Sequence, residues 1–314
     1  MKNKIIIALV SLLVIGLSVC GFIFTKPITE TQFDTLVILA IICGCSALYC
    51  FVVGQISGNN SQMDKLWSLL PIAYAWVIAG KGGLSPRLIV IASLITMWGV
   101  RLTFNFARKG AYSWKFWAGE EDYRWVILRN KKPLNNRFAW ALFNLFFISI
   151  YQNALVLAMT LPMLSLMDSP APFGVIDYIA AGVAFGFLAL ETIADEEQWV
   201  FQTKKKKMLN DGNKLEELPE PYNKGFNTHG LWSVMRHPNY LGEQAFWISL
   251  YLFLIAAKVA NYGIFNWTMV GPLLLILLFM GSSSFGESVS ASKYPEYNQY
   301  QKKVFKYLPI RRYR

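Results

Sequence analysis

Charge is scarce in this sequence. Only 16% of its 314 residues are charged, while 54% are hydrophobic and mean hydropathy is +0.35. A typical soluble domain carries about 25% charged residues. A rich soluble core does not explain the difference, because several apolar runs reach the roughly 20 residues that span a bilayer. Cysteine and histidine are scarcer still. Cys20, Cys43, Cys45 and Cys50 all fall inside apolar runs and form no CxxC pair, which argues against a disulfide framework and for packing. His229 and His237 have no cysteine nearby, so no metal site is expected. No stretch alternates apolar and polar residues, which excludes a lipid-facing β-barrel.

What is present is a series of long apolar runs, over 5–24, 34–54, 65–80, 87–108, 137–164, 173–201, 240–258 and 264–284. The expectation is an all-α fold, a polytopic membrane helix bundle of seven to eight transmembrane helices in one domain over 1–314. The third run is short for a full crossing. Residues 1–24 have a basic start at Lys2 and Lys4, but the apolar run is long for a signal and no small-x-small site closes it. A retained helix is expected there.

The basic residues are distributed by side. With the N-terminus inside, 25 of the 30 Lys and Arg fall on the inner side, in the N-terminus, Lys65, Arg108 to Arg137, Lys204 to Arg236 and Lys293 to Arg314. Lys26, Lys81, Arg87 and Lys258 fall outside, and Arg101 lies within a span. That asymmetry follows the positive-inside rule and places both termini in the cytoplasm. The net charge of +11 also suits anionic membrane lipids as partners. Nucleic acid is not an expected partner. Lysine- and isoleucine-rich usage favours a bacterial inner membrane, with the endoplasmic reticulum as the other candidate.

Two inner loops are long, 109–136 and 202–238. The first is rich in charge and tryptophan, and the second opens on Lys204 to Lys207. Loops of this length tend to carry function. The basic, aromatic tail from Lys293 to Arg314 suits either a membrane surface or a cover over a cofactor.

Ionisable groups inside spans are costly and usually face a polar cavity. Glu191 and Asp195, four apart, share a helix face with Gln198, able to accept hydrogen bonds from an amide, a ribose or an amine. The plain alternative is a helix end entering the headgroups. Gly182 and Gly186 form a small-xxx-small pair that suits helix packing. The string Arg236-His237-Pro238-Asn239-Tyr240-Leu241-Gly242-Glu243 sets Pro238 at a helix start, a natural place for an anionic group. Asp64 is either a helix cap or a proton donor. Arg101, near Trp98, needs a partner or must snorkel. Glu287 ends a polar stretch that suits a cavity floor or a frayed helix end.

These motifs carry a resemblance. Asp64 to Ser68, Trp98 to Leu102, Glu121 to Trp125, Glu191 to Asp195, Gly230-Leu231-Trp232, Arg236 to Glu243 and Tyr294 to Tyr297 run in order from about residue 60 to the C-terminus. Together they resemble the membrane steroid 5-alpha-reductase superfamily, in particular its branch named for domain of unknown function 1295. The resemblance implies N-terminal helices over 1–60 and a reductase-like core over 61–314 whose C-terminal half holds NADPH. It implies reduction of a carbon–carbon double bond conjugated to a ketone in a lipophilic small molecule. Asp64, Trp98 and Arg101 would take the catalytic places. Glu191, Asp195, Arg236, His237, Asn239, Tyr240, Glu243, Glu287 and Tyr297 would hold the cofactor, with the lysines and Arg236 toward phosphates.

The sequence departs from that pattern in places. The family tyrosine three residues before the arginine of the fourth span is Trp98 here, and its early glutamate is matched nearest by Asp64. The Arg-His-Pro-x-Tyr-x-Gly string also occurs in membrane methyltransferases of the isoprenylcysteine and phospholipid type. S-adenosylmethionine is therefore the alternative cofactor. Those enzymes usually carry a glutamate pair after the last span, whereas Glu287 is followed by Ser288. A non-enzymatic lipid-binding protein explains the basic inner face but not the acidic and amide groups at inner helix ends.

Overall fold

The computed structural model describes residues 2–24, 28–169, 171–257, 266–310 and 312–313. Lys26, Lys258, Arg311 and Arg314, used above to orient the chain, lie outside the described residues, as do the ends of the last two predicted spans at 258 and 264–265.

Among the described residues the structure is helical throughout, with no strand. The long elements are α1 (Lys2–Phe24), α2 (Glu30–Ser57), α5 (Pro86–Ala107), α9 (Val175–Asn210), α10 (Pro238–Ala256) and α11 (Val270–Lys293). Shorter ones are α3 (Gln62–Leu66), α4 (Leu69–Lys81), α6 (Tyr123–Arg129) and α12 (Tyr297–Lys303). One further long helix is composite, with α7 (Arg137–Phe143) and α8 (Gln152–Leu164) joined by a π-helical stretch, Asn144–Tyr151.

Six helices are long and apolar enough to cross a membrane: Ile5–Ile23, Glu30–Ser57, Pro86–Ala107, Arg137–Leu164, Val175–Asn210 and Trp267–Lys293. Helix α1 shows why lipid is required. Its Ile5, Leu9, Leu12 and Leu17 are all exposed, and a helix that is apolar on every side is stable only in hydrocarbon. The chain is a multi-pass integral membrane protein.

Local chemistry sets the helix ends. Thr29 and Gln32 form a reciprocal capping box at the start of α2, and Gly58 closes it in the left-handed region. Pro86 occupies the first turn of α5. Asp122 and Asn136 accept hydrogen bonds from the first backbone amides of α6 and α7.

The chain divides into two compact units. One comprises Leu12–Ala181 and Ser249–Leu275. Its core gathers Tyr74, Ile78, Leu88, Ile95, Trp98 and Val156, all essentially inaccessible. Close helix contact depends on glycine: a Cβ on Gly99 of α5 would lie 2.5 Å from the Ser68 carbonyl oxygen, and one on Gly271 would meet the Ala158 backbone at 2.3 Å. Arg87 is buried rather than a free outer charge. Its guanidinium binds Asp177 at 2.7 and 2.8 Å and also reaches Ser169 and the carbonyls of Ala171 and Pro172. It therefore ties the chain between α8 and α9 to α5.

The other unit comprises Met1–Ser11, Gly182–Ile248 and Ile276–Arg314. Here the tail packs against the loop that precedes α10. The Arg236 and His237 amides donate to the carbonyls of Phe305 and Lys306, each at 3.0 Å, and the Tyr313 amide donates to the Ser233 carbonyl at 2.7 Å. A hydrophobic cluster of Phe226, Tyr297, Tyr300 and Val304 fills the space beneath.

Candidate functional site

In the second unit, α9 and the start of α10 meet through side chains the sequence singled out. Asn239 donates its amide Nδ2 to Asp195 Oδ1 at 3.0 Å. The Oδ1 of Asn239 and the Oε1 of Gln198 are buried and accept no hydrogen bond within the protein. Gly242 is what lets the helices approach, since a Cβ there would lie 2.7 Å from the Glu191 Cβ. Glu191 and Glu243 are both buried. The result is a surface of carboxylate and amide oxygens that presents acceptors to a donor-bearing ligand.

The loop before α10 is fixed to α9. The Leu231 amide donates to Glu197 Oε2 at 2.9 Å, and the Trp232 indole donates to the Ala194 carbonyl at 3.1 Å. Gly230 adopts φ +59°, and any Cβ there would strike the Glu197 carboxylate at 2.1 Å. The Gly-Leu-Trp motif is thus a docking element for the Asp195 face.

Glu287, on α11, is a hub. It accepts from Arg236 Nε at 2.6 Å and from Gln301 at 3.1 Å, contacts His237 Nε2 at 3.0 Å and has the Lys306 ammonium 3.7 Å away. Arg236 also donates to the carbonyls of Gln301 and Val304. Arg236 therefore binds the tail in place, with its Nε held by the Glu287 carboxylate. His237 stacks on Tyr240, with ring centroids 5.1 Å apart, and Tyr240 in turn meets Phe279 edge-on. Burial keeps the His237 imidazole below its ordinary pKa, outweighing the pull of Glu287. Tyr297 lies in the aromatic cluster, 4.9 Å from the Phe226 ring. Of the four consecutive lysines, Lys205 is buried and donates to the Gly225 carbonyl at 2.5 Å, while Lys204, Lys206 and Lys207 are exposed.

The other candidates belong to the first unit. Asp64, on α3, accepts from the Trp125 indole at 2.6 Å and has Arg124 at 3.5 Å. Burial raises the Asp64 pKa against the pull of Arg124. Asp122 goes the other way: burial is outweighed by the charge and hydrogen bonds of Arg124, so its pKa falls. The loop after α5 folds back over α3. Lys65 is fully buried and donates to the carbonyls of Phe116 and Ala118, each at 2.6 Å. Asn60 and Arg129 both bind Glu121. Trp98 is buried and Arg101 half-buried, one turn apart on α5.

A family profile described as "Protein of unknown function (DUF1295)" matches residues 50–304. The chain belongs to the DUF1295 family. A relative from Schizosaccharomyces pombe, the uncharacterized protein C594.04c, is 35% identical over 282 residues, covering 83% of this chain and 78% of the relative. No solved structure matches. The DUF1295 region spans every candidate residue from Asp64 to Tyr297, and it leaves α1 outside.

Sequence reasoning missed several members of these clusters. In sequence Gln301 and Lys306 read only as parts of a basic tail, and nothing local marks them as partners of Glu287. Lys65 reads as an inner-side charge, and its place within Asp64-Lys65-Leu66-Trp67-Ser68 is the available signal that it is buried. Asn60, Asn144 and Asn153 are buried polar residues that no motif pointed out.

Proposed function

We propose that this DUF1295 protein is an NADPH-dependent membrane reductase of a carbon–carbon double bond conjugated to a ketone in a lipophilic substrate. The observation that carries the reading is the Asp195–Asn239 pair, with the buried acceptor oxygens of Asn239 and Gln198 beside it. Those acceptors fit the carboxamide and ribose donors of a nicotinamide nucleotide. The exposed Lys204, Lys206 and Lys207, farther along α9, supply cations for its phosphates.

NADPH supplies the hydride when bound. The protein contributes position and electrostatics. Asn239, oriented by Asp195, holds an amide donor in place, and Gly230 to Trp232 fix the loop against α9. Glu287, Arg236 and His237 anchor the tail beside that face. By the family resemblance Asp64 would be the proton donor to the enolate, and Trp125 and Arg124 set its orientation. Trp98 and Arg101 are the remaining candidates to polarise the ketone. In this reading the chain crosses the membrane eight times. Leu69–Lys81 and Pro238–Ala256 are the two further crossings, and both termini are cytoplasmic.

The Asp195 carboxylate also suits the ammonium of S-adenosylmethionine, which keeps a methyltransferase as the second reading. Asp64→Asn tests the proton assignment. The amide keeps an acceptor for Trp125 but has no acidic proton. Turnover of an enone with NADPH should fall at least about tenfold while cofactor affinity holds. An unchanged rate excludes Asp64 as the donor.

A further inference from the structure

After α12 the tail of the second unit runs back along α11 and then turns. Gln301 and Lys306 reach Glu287, at 3.1 and 3.7 Å. The Lys306 ammonium also donates to the hydroxyls of Ser283 and Ser284, each at 3.2 Å. The Tyr307 hydroxyl goes further, to 3.0 Å from Ser283 Oγ and 3.4 Å from the Phe279 carbonyl oxygen. Beyond Ile310 the chain returns to α12. The Tyr313 ring lies 5.3 Å from the Tyr300 ring and 5.2 Å from the Lys303 ammonium, and its amide donates to the Ser233 carbonyl. Leu308-Pro309-Ile310 is therefore the tip of a loop pinned on both sides.

The depth of that tip is read from α11. Phe279 lies fourteen residues before Lys293, about 21 Å back along the helix. It stands at the end of the apolar run Pro272 to Met280, just before the polar stretch Gly281 to Ser284. The tip is thus level with the boundary between hydrocarbon and headgroups. Its surface suits that level. Phe305, Leu308 and Ile310 are 41%, 55% and 62% exposed. Lys302, Lys303 and Arg312 beside them are exposed too, and from Tyr297 to the C-terminus there are six cationic side chains and no acidic one. Exposed apolar side chains flanked by lysine and arginine bind an anionic bilayer surface through both terms at once.

We propose that Leu308 and Ile310 insert into the cytoplasmic leaflet, with Lys302, Lys303 and Arg312 on the phosphates of anionic phospholipid. The bilayer then holds the tail from the side opposite Glu287. Because the carbonyls of Phe305 and Lys306 accept from the Arg236 and His237 amides, it also steadies the loop before α10. This surface is independent of the nucleotide reading, since lipid binding here needs no cofactor.

Backbone hydrogen exchange of the segment Phe305 to Ile310 tests it, on the full chain without nucleotide. Wild type is compared in nanodiscs of phosphatidylcholine alone and of phosphatidylcholine mixed with phosphatidylglycerol. Exchange should be about tenfold slower with the anionic lipid. Leu308→Gln with Ile310→Gln alters only exposed side chains, and exchange should then be fast in both lipids. Lys302→Gln with Arg312→Gln should narrow the difference between the lipids and leave the rate in phosphatidylcholine unchanged. Equal wild-type rates in the two lipids would mean that the protein alone holds the tail, and would overturn the proposal. So would protection that survives the loss of both Leu308 and Ile310.

Discussion

Glu287→Gln isolates the charge at the hub of the second unit. The change keeps the shape of the side chain and removes one negative charge. The carboxylate is 7% exposed, and its partners Arg236 and His237 are 12% and 13% exposed. Glutamine can still accept from Arg236 through one oxygen. Its amide group would then face Gln301 Nε2, a donor that now sits 3.1 Å from the other carboxylate oxygen. Arg236 and Lys306 would keep their charges with no anion between them. Breaking a buried ion pair on one side costs about 3–5 kcal/mol. At about 2–4 °C per kcal/mol for a chain of this class, the apparent Tm should drop by roughly 10 °C. Arg236 also binds the carbonyls of Gln301 and Val304, so the tail should loosen first. Thermal unfolding in detergent reads the first effect, and trypsin cleavage at Lys302 and Lys303 reads the second. An unchanged Tm together with an unchanged cleavage rate would refute the assignment of Glu287 as the tail's anchor.

Arg87→Met should be more damaging than any surface change. It leaves Asp177 buried at 2% side-chain exposure, and the expected loss is about 3–5 kcal/mol. The double variant Arg87→Met with Asp177→Leu should recover most of that loss in the same unfolding assay. Stability should also fall with acid near His237. Burial lowers its folded pKa, so the unfolded chain takes up the proton first as pH drops below about 6.5. The His237 contribution is therefore complete above that pH and is lost on acidification. His237→Gln should flatten the pH dependence of Tm in this window.

The helical class and the positions of the long elements were legible because apolar runs of bilayer length have one solution, a helix. The motifs were legible as strings, and their partners were not. Asp195 and Asn239 were both named, and their hydrogen bond follows from Gly242, which shortens the distance between α9 and α10. Arg236 reads as a phosphate ligand in one dimension. In space its Nε meets Glu287 and its Nη1 meets the tail carbonyls of Gln301 and Val304. Arg87 reads as an outer-side charge, and nothing in its neighbourhood announces its buried partner Asp177, ninety residues away. The tail had two possible resting places in the sequence, a membrane surface or a cofactor. It packs on the loop before α10, held by backbone pairing and by Tyr300, whose hydroxyl donates to the Trp232 carbonyl at 2.5 Å.

The central claim is tested most directly by nucleotide binding to the purified protein. Thermal shift in detergent should be run with NADPH, NADH and S-adenosylmethionine in parallel, on wild type and on Asn239→Ala. The account predicts stabilisation of wild type by NADPH alone. In Asn239→Ala, which removes the hydrogen bond to Asp195, it predicts that this stabilisation disappears while the unliganded Tm changes little. Stabilisation by S-adenosylmethionine instead, or an NADPH shift that Asn239→Ala leaves intact, would contradict it.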